Sequence, residues 1–213
     1  EFEGDLENLP SLQNGFQLYT NYCLGCHSLQ FQRYERSADD LGIPHDIAME
    51  NLVFTGQKIG SLITNAMPKE DSKGWFGASP PDLTLVTRVR SPEWVYNYLK
   101  TFYADADRPM GVNNKVFPNV GMPNVLLDLQ GVQRQVCSEG NCDQLVLDPG
   151  TGKMSAEEFD TAIYDLTNFL YYTGEPTRLH RQRTGIYVLL FLIFLGCFTY
   201  LLNREYWKDI DGH

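Results

Sequence analysis

The chain has 213 residues, 17 Lys+Arg against 27 Asp+Glu, a formal net charge of −10, and 43% apolar and 13% aromatic residues. So aromatic a composition excludes a disordered chain, and the acidic balance excludes a nucleic-acid partner, which needs clustered Lys and Arg. The charge is unevenly divided: residues 1–177 hold 12 Lys+Arg and 24 Asp+Glu, whereas residues 178–213 hold 5 and 3. The sequence opens on Glu1 rather than Met, as either a cleaved export signal or a trimmed sequence would leave it.

Leu12, Phe16, Tyr19 and Cys23 recur at helical spacing behind Pro10 and predict a first helix over residues 11–26. Gly15 within it costs roughly 1 kcal/mol unless it lets another helix come close. Two stretches rich in Gly, Pro and Asn, residues 68–81 and 108–123, predict loops. Between them, residues 92–102 predict a short helix with Pro92 and Glu93 in its first turn. Strand patterns are confined to residues 135–137 and 145–147. Ser155 and Glu158 have capping-box spacing, and Phe159, Ala162, Ile163, Leu166, Phe169 and Leu170 continue it as an amphipathic helix over 156–173, ended by Gly174 and Pro176. The head is therefore mainly α, with long loops of the kind that need something to wrap around.

Residues 184–203 carry no formal charge and are apolar on every face. A helix of that length spans about 30 Å, the thickness of a bilayer core. Tyr187, Tyr200, Tyr206 and Trp207 stand near its ends, where interfacial aromatics belong. The expected organisation is a head over 1–177, a basic juxtamembrane segment over 178–183, a transmembrane helix over 184–203 and a short cytoplasmic tail over 204–213.

Cys23-Leu-Gly-Cys26-His27 is a C-x-x-C-H sequence, the pattern of covalent c-type haem attachment. Two cysteines three apart on one side of a helical turn can both add to the vinyl groups of one porphyrin, and the adjacent imidazole then reaches the iron. The competing readings are weaker. A zinc site needs two more ligands, for which only Cys137 and Cys142 offer a tidy four-cysteine set, and a thioredoxin-like pair needs a βαβ context that is not present. For the sixth position the sequence offers Met49, Met67, Met110, Met122 and Met154, with His45, His180 and His213 as the spare histidines. Met67-Pro68 and Met122-Pro123 both place the sulfur in a proline-stiffened loop, and spacing does not choose between them.

Several blocks, in order, resemble the cytochrome c1 family, the haem c subunit of the cytochrome bc1 complex, in its bacterial form. They are Gly15-Phe16-Gln17-Leu18-Tyr19, Cys23-Leu-Gly-Cys26-His27-Ser28, Trp75-Phe76-Gly77-Ala78, Pro80-Pro81-Asp82-Leu83, Arg88-Val89-Arg90, Gly121-Met122-Pro123, Asn168-Phe169-Leu170 and Gly174-Glu175-Pro176, followed by the C-terminal anchor. The resemblance implies a class I cytochrome c-like helical haem domain with one transmembrane helix. It also implies one covalent haem c with His27 and Met122 as iron ligands, Arg90 and Tyr96 on the propionate side, and Pro81 packed near the ring. An arginine suits a propionate because its forked donors keep their charge when partly buried. Cys137-Ser-Glu-Gly-Asn-Cys142 departs from the cysteine-free linker of many relatives. Its close spacing, Gly140 and an oxidising compartment read as a disulfide that closes a small loop, as in some bacterial relatives. Cys197 lies within the apolar span as a small inert residue.

The function implied is one-electron relay: from a Rieske iron–sulfur protein, through the haem, to a soluble cytochrome c. The chain would have no catalysis of its own and would sit beside a cytochrome b subunit in a dimeric complex, in contact with membrane lipid. A membrane-anchored cytochrome serving a terminal oxidase and a haem-based ligand sensor are the alternatives. Arg178, His180, Arg181 and Arg183 make the near side of the anchor basic, which by the positive-inside rule would put the head in the cytoplasm. Haem attachment and the disulfide require the exported side, so the expected location is the inner membrane, single-pass, with the head periplasmic.

Overall fold

A computed structural model describes residues 2–138 and 141–208, excluding the side chains at 138 and 141–143. The elements in chain order are α1 (Leu9–Tyr22), β1 (Leu29–Arg33), α2 (Tyr34–Leu41), α3 (His45–Asn51), β2 (Leu62–Ile63), α4 (Lys69–Phe76), α5 (Val86–Val89) and α6 (Pro92–Lys100). There follow β3 (Phe102–Ala104), β4 (Val112–Asn114), α7 (Leu127–Gln130), β5 (Gln133–Ser138), β6 (Asn141–Leu147), α8 (Ala156–Gly174) and α9 (Arg178–Trp207). The strands pair antiparallel, β1 with β2, β3 with β4 and β5 with β6, so they are ribbons on a helical body. The chain divides into two compact units, Glu1–Gly174 and Glu175–His213.

The first unit is organised on α1 and α8. Gly15 makes their contact possible: a Cβ there would lie 2.1 Å from the Asp165 carbonyl oxygen and 2.7 Å from Phe169 Cβ. Phe16 stacks on Phe169 with ring centroids 4.8 Å apart, and both rings are fully buried. The helix over residues 156–173 forms as expected, and its capping box is reciprocal: Ser155 N donates to Glu158 Oε2 at 2.8 Å, and Glu158 N to Ser155 Oγ at 3.2 Å. The short helix expected over 92–102 is α6, with the Ser91 hydroxyl accepting from Trp94 N at its start.

Several sequence expectations are corrected. The first helix ends at Tyr22, so the cysteine motif lies in the turn after it. That turn is still closed by Cys26 N and His27 N, both donating to the Cys23 carbonyl at 3.0 and 2.8 Å. The stretch 68–81 holds α4 as well as loop: Pro68 presents an extended entry, Glu70 and Asp71 occupy the first turn, and Gly77 at φ +78 ends it. The stretch 108–123 contains β4, which pairs with β3. The strand segments at 135–137 and 145–147 belong to a longer hairpin, β5–β6.

In the second unit, α9 runs 30 residues without interruption and is the one helix among the described residues long and apolar enough to cross a membrane. None of its residues is buried. At 1.5 Å per residue it measures about 45 Å, a bilayer with its headgroup layers, so the apolar stretch and the basic segment before it form one rod. Arg181 pairs with Glu175 within this unit. Residues 209–213, the end of the expected tail, and His213 with them, lie outside the described residues.

Candidate haem site

The turn that closes α1 delivers Cys23, Cys26 and His27 to one cavity of about 340 Å³ in the first unit. The opposite wall comes from the loop over 120–123, where Val120, Gly121, Met122 and Pro123 line the space. Pro80 and Pro81, Leu99 from α6, and Leu166 and Leu170 from α8 contribute to a lining that is almost wholly apolar.

His27 is buried and held from two sides. Its Nδ1 lies 2.7 Å from the Pro81 carbonyl oxygen, and its own carbonyl accepts the Tyr19 hydroxyl at 2.5 Å. A carbonyl can only accept, so Nδ1 carries the proton and Nε2 keeps its lone pair for a metal. Burial holds the imidazole below its ordinary pKa, against the opposing pull of the Pro81 bond and Asp82, which keeps it the neutral base that iron requires. Pro81 is fixed through Asp82, whose carboxylate accepts from Gln30 N at 2.7 Å and Thr84 N at 2.9 Å. The Pro-Pro-Asp block is therefore a clamp on the histidine as well as a wall.

Burial, followed by the neighbouring Cys26, pushes the Cys23 thiol up to about 12. Among the described residues, no group of three or more His, Cys, Asp or Glu side chains is arranged to hold a metal ion.

Met122 faces the cavity and accepts the Tyr98 hydroxyl at its sulfur, 3.4 Å away. Met67 does not line this space; its amide donates to Asn65 Oδ1. His45 is exposed and paired with Asp39 at 2.7 Å. Arg90 lies at the rim, its guanidinium 5.1 Å from the Trp94 ring centroid and 5.9 Å from that of Phe117. These aromatic faces steer the fork without consuming its donors. Of the residues expected around the haem, Tyr96 is the one that does not line the cavity. Its hydroxyl donates to Asp160 Oδ1 at 2.6 Å and accepts from Lys100 Nζ at 3.1 Å. Tyr98, two positions on, is the tyrosine of α6 that lines the space. The expected Cys137–Cys142 bridge falls on a side chain outside the described residues; the backbone places both positions on one hairpin.

The loop bearing Met122 is held by two amides. Asn114 Oδ1 accepts from Val116 N at 2.9 Å and Phe117 N at 3.0 Å, and its Nδ2 donates to the Tyr98 carbonyl at 2.7 Å. Asn113 Oδ1 accepts from Asn119 N at 2.8 Å. No sequence signal marks this pair, because an Asn-Asn in a polar stretch looks like any turn.

The donor set and lining fit a haem: two thiols beside a histidine with a free Nε2 on one wall, a thioether on the other, an apolar space between and an arginine at its edge. This is the pocket of a c-type cytochrome. Residues 63–210 match the Cytochrome C1 family. The chain is 52% identical over 218 residues to cytochrome c1 of Allochromatium vinosum, covering 97% of this chain and 87% of that protein. It is 44% identical over 206 residues to the ammonia monooxygenase gamma subunit of Nitrosomonas europaea, covering 97% and 86%. It is 24% identical over 242 residues to cytochrome c1 of Rhodobacter capsulatus, covering 95% and 84%. The chain belongs to the cytochrome c1 family. It is a single-pass membrane electron-transfer subunit carrying one covalently attached haem c.

Proposed function

We propose that this chain is the one-electron carrier of a quinol:cytochrome c oxidoreductase, accepting electrons from a Rieske iron–sulfur protein and passing them to a soluble c-type cytochrome. Bound haem c supplies a one-electron iron couple. Cys23 and Cys26 would hold the group through thioethers, His27 Nε2 and Met122 Sδ would ligate its iron, and Arg90 would neutralise a propionate. Pro81 orients the imidazole through its carbonyl. The leucines of α6 and α8 exclude water, and an apolar shell with a thioether ligand favours the reduced state. The observation that carries the reading is the convergence of Cys23, Cys26, His27 and Met122 on one apolar cavity.

The chain works beside a cytochrome b subunit, in a dimeric complex in contact with lipid, with the head on the periplasmic side and Cys137 bridged to Cys142. The net charge of −12 over residues 1–177 suits a basic soluble acceptor. Purification of the complex in mild detergent tests the assembly: a dihaem b-type subunit and a Rieske protein are expected to accompany the chain, and a terminal oxidase in their place would overturn it. Met122→Leu tests the ligand. The midpoint potential is expected to fall and the reduced protein to bind carbon monoxide, whereas the same response from Met67→Leu alone would transfer the role to Met67.

A further inference from the structure

Tyr98 is held more tightly than a wall residue needs to be. Its ring lies flat against Trp94, with centroids 5.0 Å apart and planes at 8°, and Phe102 meets it edge-on at 5.1 Å. Its carbonyl receives the Asn114 amide, so the residue is tied to the loop that carries Met122. These restraints aim one group, the phenol hydroxyl, at Met122 Sδ, 3.4 Å away. A thioether sulfur is a weak acceptor with two lone pairs, and coordination uses one of them.

We infer that Tyr98 is a positioning residue for the sixth ligand: its hydroxyl donates to the lone pair of Met122 Sδ that coordination leaves over, holding the sulfur and drawing electron density from it. This rests on Met122 being the axial ligand. A sulfur that has yielded density is a poorer donor to ferric iron, so the hydrogen bond shifts the couple toward the ferrous state and raises the potential.

The test is a redox titration of the full chain, haem attached, as wild type, Tyr98→Phe, Met122→Leu and the double variant. Tyr98→Phe retains the stacked ring and loses only the hydroxyl. Its pyridine haemochrome spectrum and its sulfur-to-ferric-iron charge-transfer band are expected to persist, while the ferrous-to-ferric ratio at a fixed potential falls about threefold, a shift of about 30 mV for one electron. In the Met122→Leu background the same substitution is expected to change nothing further. An unchanged midpoint in Tyr98→Phe, or an equal shift in both backgrounds, overturns the inference. If Met122→Leu leaves band and midpoint intact, the axial assignment falls and takes this inference with it, a different result from either. Should Tyr98→Phe fail to accumulate with haem, 3-fluorotyrosine at position 98, a stronger donor, must raise the midpoint. If it does not, the inference is wrong.

Discussion

At the scale of single residues, much of the site follows from two short motifs. C-x-x-C-H marks the expected attachment residues because the chemistry fixes their spacing, and the Met-Pro pairs offer two positions for the proposed sixth ligand. That Met122 and Tyr98 line the cavity while Met67 and Tyr96 do not reflects which side of a loop or helix faces it. That depends on partners beyond the motif: Asp160 and Lys100 engage the Tyr96 hydroxyl away from the cavity. Gly15 is more transparent, since a helical glycine without local purpose predicts a close neighbour. Gly15→Ala would set a methyl group 2.1 Å from the Asp165 carbonyl oxygen, which forces the two helices apart. The expected loss is about 2 kcal/mol or more, by overpacking. A denaturant titration of the haem-loaded protein would measure it, and an unchanged midpoint would mean that the helices separate freely.

At the scale of elements, helices with an apolar stripe are legible and short connections are not. The amphipathic pattern and capping box locate α8, and Pro92 with Glu93 locates α6. In contrast, α4 has eight residues, one buried side chain and a proline and a glycine at its borders, so composition reads it as loop. The methionine loop owes its shape to Asn113 and Asn114, whose hydrogen bonds leave no periodic trace. Asn114→Ala removes the acceptor for Val116 N and Phe117 N and the donor to the Tyr98 carbonyl. With buried groups left unpaired, we expect a loss of about 3 kcal/mol and measurable carbon monoxide binding by the reduced protein. A variant of wild-type stability that still excludes the gas would show that the loop is held by other means.

For the whole molecule, the head carries its charges in arrangements that respond to pH with a definite sign. Burial opposes ionisation of Asp160, but bonds from Lys100 and Tyr96 outweigh it and hold the carboxyl below its usual range. The Ser155 amide and hydroxyl hold Glu158 down in the same way. Carboxyls depressed on folding stabilise the folded state above their unfolded values, about pH 4, and that contribution disappears as pH falls through the folded values. Denaturation of the wild type should therefore become easier below about pH 4, and Asp160→Asn should flatten that acid limb. Equal acid slopes in the two proteins would exclude Asp160 as a contributor. Since the pair is partly exposed, the effect should be small beside that of Gly15.

The close contact of α1 with α8 has a consequence for biosynthesis. The cysteines follow immediately after the first helix, yet Leu166 and Leu170, which close the pocket behind them, belong to the last helix of the head. While a nascent chain is still being extended, the attachment turn lacks its α8 partner, and contacts this far apart in sequence form late. The wall that α8 supplies behind the two cysteines is thus completed only when the last helix of the head is in place.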